Sequence, residues 1–97
     1  MQENASRKDF NKIATLKRLL KEDKNREFKD QIYYQIGNTL LQQGDLAQAQ
    51  EYYQLSAHTI PGSQKQRGLS YLKLAEVSFD SLKNYTQAQL YYDSTLQ

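Results

Sequence analysis

Apolar residues recur along this chain three and four apart, the spacing that places side chains on one face of an α-helix. Phe10, Ile13, Leu16 and Leu20 form the first series, behind Ser6-Arg7-Lys8-Asp9, where a hydroxyl cap is followed by an acid three residues on. Asn25 is placed to cap a second helix, whose face is Phe28, Ile32, Tyr33, Ile36, Leu40 and Leu41. Gly44-Asp45 ends that run, because glycine accepts the left-handed conformation that closes helices. Asp45, with Gln48 three residues on, opens a third helix carrying Leu46, Ala49, Tyr53, Ala57 and Ile60. Pro61-Gly62 stops it, since proline cannot continue the ladder and biases Ile60 out of the helical region. Ser63-Gln64-Lys65-Gln66 starts a fourth, with Leu69, Leu72, Ala75, Phe79 and Leu82 on its face. Asn84, with Gln87 behind it, starts a fifth that holds Tyr85, Ala88, Tyr91 and Tyr92. No stretch alternates apolar and polar residues as a half-buried strand would. The expectation is an all-α chain of five helices in a single domain, 1–97.

The second and third helices repeat in the fourth and fifth. Tyr33-x-x-Ile36-Gly37 corresponds to Tyr71-x-x-Leu74-Ala75 at an offset of 38 residues. Asp45 to Tyr53 corresponds to Asn84 to Tyr92 at an offset of 39, so the second hairpin turn is one residue longer. A repeated helix pair with small residues at fixed points is the mark of a helical-hairpin solenoid. The organisation expected is a leading helix over 6–24, one repeat over 25–62 and another over 63–97.

These residues resemble the tetratricopeptide repeat (TPR), whose pattern runs aromatic, Leu-Gly, turn, Ala, aromatic, Pro over about 34 residues. Tyr33, Ile36, Gly37, Leu40, Ala49, Tyr53 and Pro61 stand at the family's spacing in the first repeat. Tyr71, Leu74, Ala75, Ala88 and Tyr92 match in the second. There Ser78 replaces a large residue and Leu82-Lys83 replaces the glycine turn. The resemblance covers residues 25–97 and implies stacked hairpins curved around a groove, with the leading helix similar to the second helix of a preceding repeat. Within that class, the stretches Lys29–Tyr34, Gly68–Tyr71 and Ala88–Thr95 look like those of repeat-containing lipoproteins of the gliding-motility and type IX secretion machinery of Bacteroidota. Those proteins carry an N-terminal lipidated cysteine and lie at the periplasmic face of the outer membrane. This chain has no cysteine and would correspond to an internal fragment. Without that closer resemblance, the expected location is the cytoplasm.

Composition narrows the chemistry. Ninety-seven residues with 38% hydrophobic and 25% charged content suit one small domain. The longest apolar runs are too short to span a bilayer, and no signal peptide opens the chain. Zero cysteines and the single His58 leave no expected metal site, and no cofactor motif is present. The carboxylates are scattered and the serines lack a partnered base, so no enzymatic activity is expected. Residues 1–29 hold nine basic and five acidic residues, whereas 30–97 hold four and six. Interleaving of Asp9, Glu22, Asp23 and Glu27 with Lys12, Lys17, Arg18, Lys21, Lys24 and Arg26 reads as a solvated helix face, with no nucleic-acid signature beside it. Asn84-Tyr85-Thr86 fits a glycosylation acceptor, although helix capping by Asn84 accounts for it equally.

Structural roles come first for most singled-out residues. Gly37, Ala49, Ala75 and Ala88 are expected to let helix axes approach to roughly 8–10 Å. Tyr33, Tyr53, Tyr71 and Tyr92 are expected to bury their rings with hydroxyls at the rim. Family geometry then places Gln31, Tyr34, Gln35, Asn38 and Gln42 in the groove from the first repeat. Leu69, Leu72, Lys73, Glu76 and Asp80 fall there from the second. A chaperone-binding subset of the family clamps carboxylates with Lys and Asn in the groove. Asn38 matches that pattern, but Tyr34 and Lys73 depart from it. The resemblance implies a non-catalytic scaffold that binds a partner peptide or protein, including other type IX secretion and gliding components. A spacer inside a longer array is the alternative, and self-association of the isolated chain is expected because repeat faces need covering.

Overall fold

The computed structural model describes residues 2–78 and Tyr91, with side chains from residue 10 onward. The described residues are helical and contain no strand. Helix α1 spans Gln2–Leu20, followed by a short 3-10 segment, Asp23–Phe28; α2 spans Lys29–Gln42, α3 Leu46–His58 and α4 Gln64–Glu76. Val77 and Ser78 extend α4 in a wider, π-type turn. Most of the expected fifth helix, with Ala88 and Tyr92, lies outside the described residues, as do Phe79, Asp80 and Leu82. Tyr91 is helical.

The start signals operate where an oxygen meets a first-turn amide. Asp45 caps α3 by accepting from the Gln48 backbone N–H at 3.2 Å, and the Gln48 side-chain amide donates back to its carboxylate at 2.8 Å. Ser63 caps α4 by accepting from the Gln66 N–H at 3.0 Å. Gly44, at φ +83°, closes α2. Its N–H donates to the Leu41 carbonyl while that of Asp45 donates to the Leu40 carbonyl, which is the Schellman arrangement.

Two start signals mislead. α1 is already helical at Gln2, so Ser6 lies inside the helix and does not begin it. Asn25 does not cap α2, which starts after Phe28 with no side-chain cap. The Asn25 amide instead donates to the Leu19 carbonyl at 3.1 Å, satisfying one of the orphan acceptors at the end of α1. The chain between α1 and α2 is therefore a 3-10 turn, and it leaves Phe28 half exposed, outside the core face assigned to it.

Packing runs α1 on α2, α2 on α3 and α3 on α4. The core is Ile32, Ile36, Leu40, Ala49, Tyr53, Leu74 and Val77. Ile13, Leu16, Leu19 and Leu20 of α1 close over it from one side, and Tyr71 and Tyr91 from the other. Ile60, expected on the α3 face, sits in the extended loop and is 88% exposed. The inward face of α4 also differs from the one expected: Gln66, Ser70, Leu74 and Ala75 are buried, whereas Leu69 and Leu72 face out.

Candidate functional site

Gln31, Tyr34, Gln35 and Asn38 fall at i, i+3, i+4 and i+7 on α2, so one face of the helix carries all four. Leu69, Leu72, Lys73 and Glu76 repeat that spacing on α4. Gln31, Gln35 and Gln42 are exposed, while Tyr34 and Asn38 are half-buried. Leu69 and Leu72 are 39% and 37% exposed. All eight residues of the two stripes thus reach the surface at least in part.

One contact joins the helices that carry the stripes, and a second ties α3 to the stripe on α2. At one end the Asp30 carboxylate, buried at the start of α2, accepts from the Ser63 N–H at 2.9 Å, just ahead of α4. Further along α2, Tyr53 of α3 reaches Asn38. Its hydroxyl donates to Asn38 Oδ1 at 2.5 Å, and its ring lies 5.6 Å from that of Tyr34. Burial pushes the Tyr53 hydroxyl well above the usual tyrosine range, and the neighbouring Tyr34 and Glu76 push the same way. The Asp30–Ser63 bond brings the starts of α2 and α4 together, and the two helices are in contact.

Tyr53 can occupy that position because residue 37 has no side chain. A Cβ at Gly37 would stand 2.8 Å from two Tyr53 ring carbons. Gly37, Ala49, Tyr53 and Ala75 are all buried. Tyr33 and Tyr71 are half-buried: Tyr33 meets the Tyr52 ring at 6.2 Å, and Tyr71 stacks on Tyr91 at 6.4 Å. Pro61 lies exposed in the α3–α4 loop. The expectation of a rim hydroxyl fails for Tyr53, which is fully enclosed because Asn38 reaches in to accept its proton.

Charge on this surface is largely self-paired. Lys73 Nζ lies 3.6 Å from Glu76, so the ammonium is already compensated within α4. The exposed amides of Gln31 and Gln35 remain as donors and acceptors. Such a surface can hydrogen-bond a peptide backbone and shelter apolar side chains on Leu69 and Leu72. His58 is exposed in the last turn of α3 with its ring edge-on to Tyr71. Among the described residues no group of His, Asp and Glu is arranged to hold a metal ion. No helix among them is long and apolar enough to cross a membrane.

One polar network escapes a reading of the sequence. Ser56 Oγ donates to the Asp30 carbonyl at 2.6 Å and lies 2.7 Å from Ser70 Oγ. Ser70 also accepts from the Gln66 side-chain amide at 3.3 Å. All four residues are buried. The one available signal is spacing: Ser56 lies three residues after Tyr53 and Ser70 four before Leu74, both core positions, so each serine shares a face with the core.

No family model matches the chain, and neither a curated protein nor a solved structure matches it.

Proposed function

We propose that this chain is a non-catalytic protein-interaction module: a five-helix, TPR-like hairpin solenoid that binds a partner peptide along the surface made by α2 and α4. The Asp30–Ser63 bond between the starts of α2 and α4 carries this reading, because it brings together two helices that each present four side chains at the same spacing. Leu69 and Leu72 would take the partner's apolar side chains, with Tyr34 at their edge. Gln31, Gln35 and Asn38 would set its register. The resemblance to lipoproteins of the gliding and type IX secretion machinery supports an envelope partner at the periplasmic face of the outer membrane.

A crosslinking pull-down from a Bacteroidota periplasmic extract tests this, comparing the wild type with Leu69→Glu/Leu72→Glu. Both replaced positions are exposed, so the fold should survive. One envelope component captured by the wild type and lost by the variant is the expected result. Identical capture by both, or none, favours the alternative of a spacer, which the internal Lys73–Glu76 pairing also supports.

A further inference from the structure

Asn38 differs from the other amides of the α2 stripe in having one edge already engaged. The side-chain amides of Gln31 and Gln35 make no hydrogen bond among the described residues, so either edge can turn outward. At Asn38 the Tyr53 hydroxyl meets the oxygen, Oδ1, at 2.5 Å. Tyr53 is fully buried, and its hydroxyl makes no other hydrogen bond among the described residues. Turning the Asn38 amide over would make that hydroxyl an acceptor and strand its own proton out of reach of water. Burial, reinforced by Tyr34 and Glu76, also keeps the proton on the hydroxyl. The amide is thereby locked with Oδ1 inward. Its Nδ2 is not enclosed and has no partner among the described residues, so Asn38 presents N–H donors to the surface and no acceptor.

We propose that Asn38 is the point of the α2–α4 surface that takes a backbone carbonyl of an extended partner segment, and that Tyr53 sets this preference by holding the amide one way round. This assignment rests on the α2–α4 reading and adds the chemistry of what that surface holds. A donor-only group selects an oxygen, and charge decides which kind. From Gln31 to Gln42 helix α2 carries no charged residue, and Lys73, the one cation of the α4 stripe, is paired with Glu76. A carboxylate would give up its water for a neutral donor with no cation to balance it, whereas a carbonyl gives up much less. The partner's conformation follows from the same bond. Carbonyls inside a helix are taken by its own ladder, so the segment lying over Asn38 is extended.

Peptides selected on the whole chain from a displayed library test the proposal, keeping those that lose binding to Leu69→Glu/Leu72→Glu. In the tightest of them each backbone amide is replaced in turn by an ester, whose carbonyl is the weaker acceptor. At one position the ester should weaken binding to the wild type roughly fivefold, the worth of about one hydrogen bond. Asn38→Asp keeps an oxygen for Tyr53 and replaces the outward donor by an acceptor. Checked for unchanged helicity, it should bind the all-amide peptide at least about tenfold more weakly and show no ester effect at that position. Tyr53→Phe, which leaves the amide free to turn, should show a smaller ester effect than the wild type. Full affinity in folded Asn38→Asp, an ester scan with no such position, or an undiminished ester effect in Tyr53→Phe each overturns the proposal and leaves the α2–α4 reading standing. So does a peptide that needs a free carboxylate or turns helical when bound. If no selected peptide depends on Leu69 and Leu72, the α2–α4 reading falls and this proposal with it.

Discussion

Helix α3 is held by two junctions that use opposite chemistry. Toward α2, the Tyr53 ring lies flat against Gly37, and the junction works by shape. Toward the start of α4, Ser56, Ser70, Gln66 and the Asp30 backbone carbonyl form a buried hydrogen-bonded network, and the Asp30 carboxylate beside it accepts from the Ser63 N–H. An apolar junction tolerates small adjustments, because dispersion falls off gradually with distance. A buried network fails abruptly, since each unpaired donor inside a protein loses its hydration with no replacement. The polar junction should therefore set the angle between α3 and α4, while the apolar one holds α3 on α2.

Asp30→Ala gives the largest effect expected from this contrast. The carboxylate accepts from the Gln31 N–H at 2.8 Å as well as from Ser63. Its removal strands both amides, at a cost of about 3 kcal/mol. Chemical denaturation should show that loss, together with faster hydrogen exchange at Ser63 and the first turn of α4. Exchange accelerated equally in α2, α3 and α4 would mean that the junction has no local role. Asp30→Asn keeps one acceptor oxygen and should recover part of the stability.

Gly37→Ala tests the apolar junction by adding one methyl group. The new Cβ would meet the Tyr53 ring at 2.8 Å, and the ring is hemmed in by Tyr34 and tied to Asn38. Overpacking of this kind costs about 2 kcal/mol. Pairing the change with Tyr53→Leu, which frees the space, should return some of that loss. If the two losses simply add, Gly37 and Tyr53 are not coupled and the shape argument fails.

The same contrast separates what is legible in the sequence from what is not. Gly37, Ala49 and Tyr53 stand out because small and aromatic residues at fixed helical spacing are what close packing of two helices demands. Gly44, Asp45, Pro61 and Ser63 are legible for a similar reason, since each satisfies a local backbone demand. Asp30, Ser56, Gln66 and Ser70 are not, because a polar residue in a helix ordinarily faces water. Asp30, Ser56 and Ser70 find partners 14 to 33 residues away, and Gln66 is drawn in through Ser70, four residues on. Asn25 misleads for a related reason: its amide serves the helix before it, and nothing local distinguishes that from capping the helix after it. On α4 the spacing of the leucines suits both a core face and a groove. Burial of Ser70 and Leu74 in place of Leu69 and Leu72 leaves those two on the surface.

The smallest expected effect lies where the two chemistries meet, at the Tyr53 hydroxyl. Tyr53→Phe keeps the ring against Gly37 and removes only the bond to Asn38, a loss of about 1 kcal/mol at neutral pH. The pH dependence then works in the opposite direction. Enclosure, with Tyr34 and Glu76 nearby, holds the folded-state hydroxyl above its ordinary value of 10.0. The unfolded chain therefore gives up this proton first as the pH rises. Stability from this group is fully present below pH 10 and declines above it, by about 1.4 kcal/mol per pH unit, until the folded value is reached. Phenylalanine has no proton to lose, so the wild type and Tyr53→Phe should converge about one unit above pH 10 and then cross. Parallel curves through that range would show that the hydroxyl is as accessible to water as the amides of Gln31 and Gln35. The closed junction between α2, α3 and α4 would then have to be redrawn as an open one.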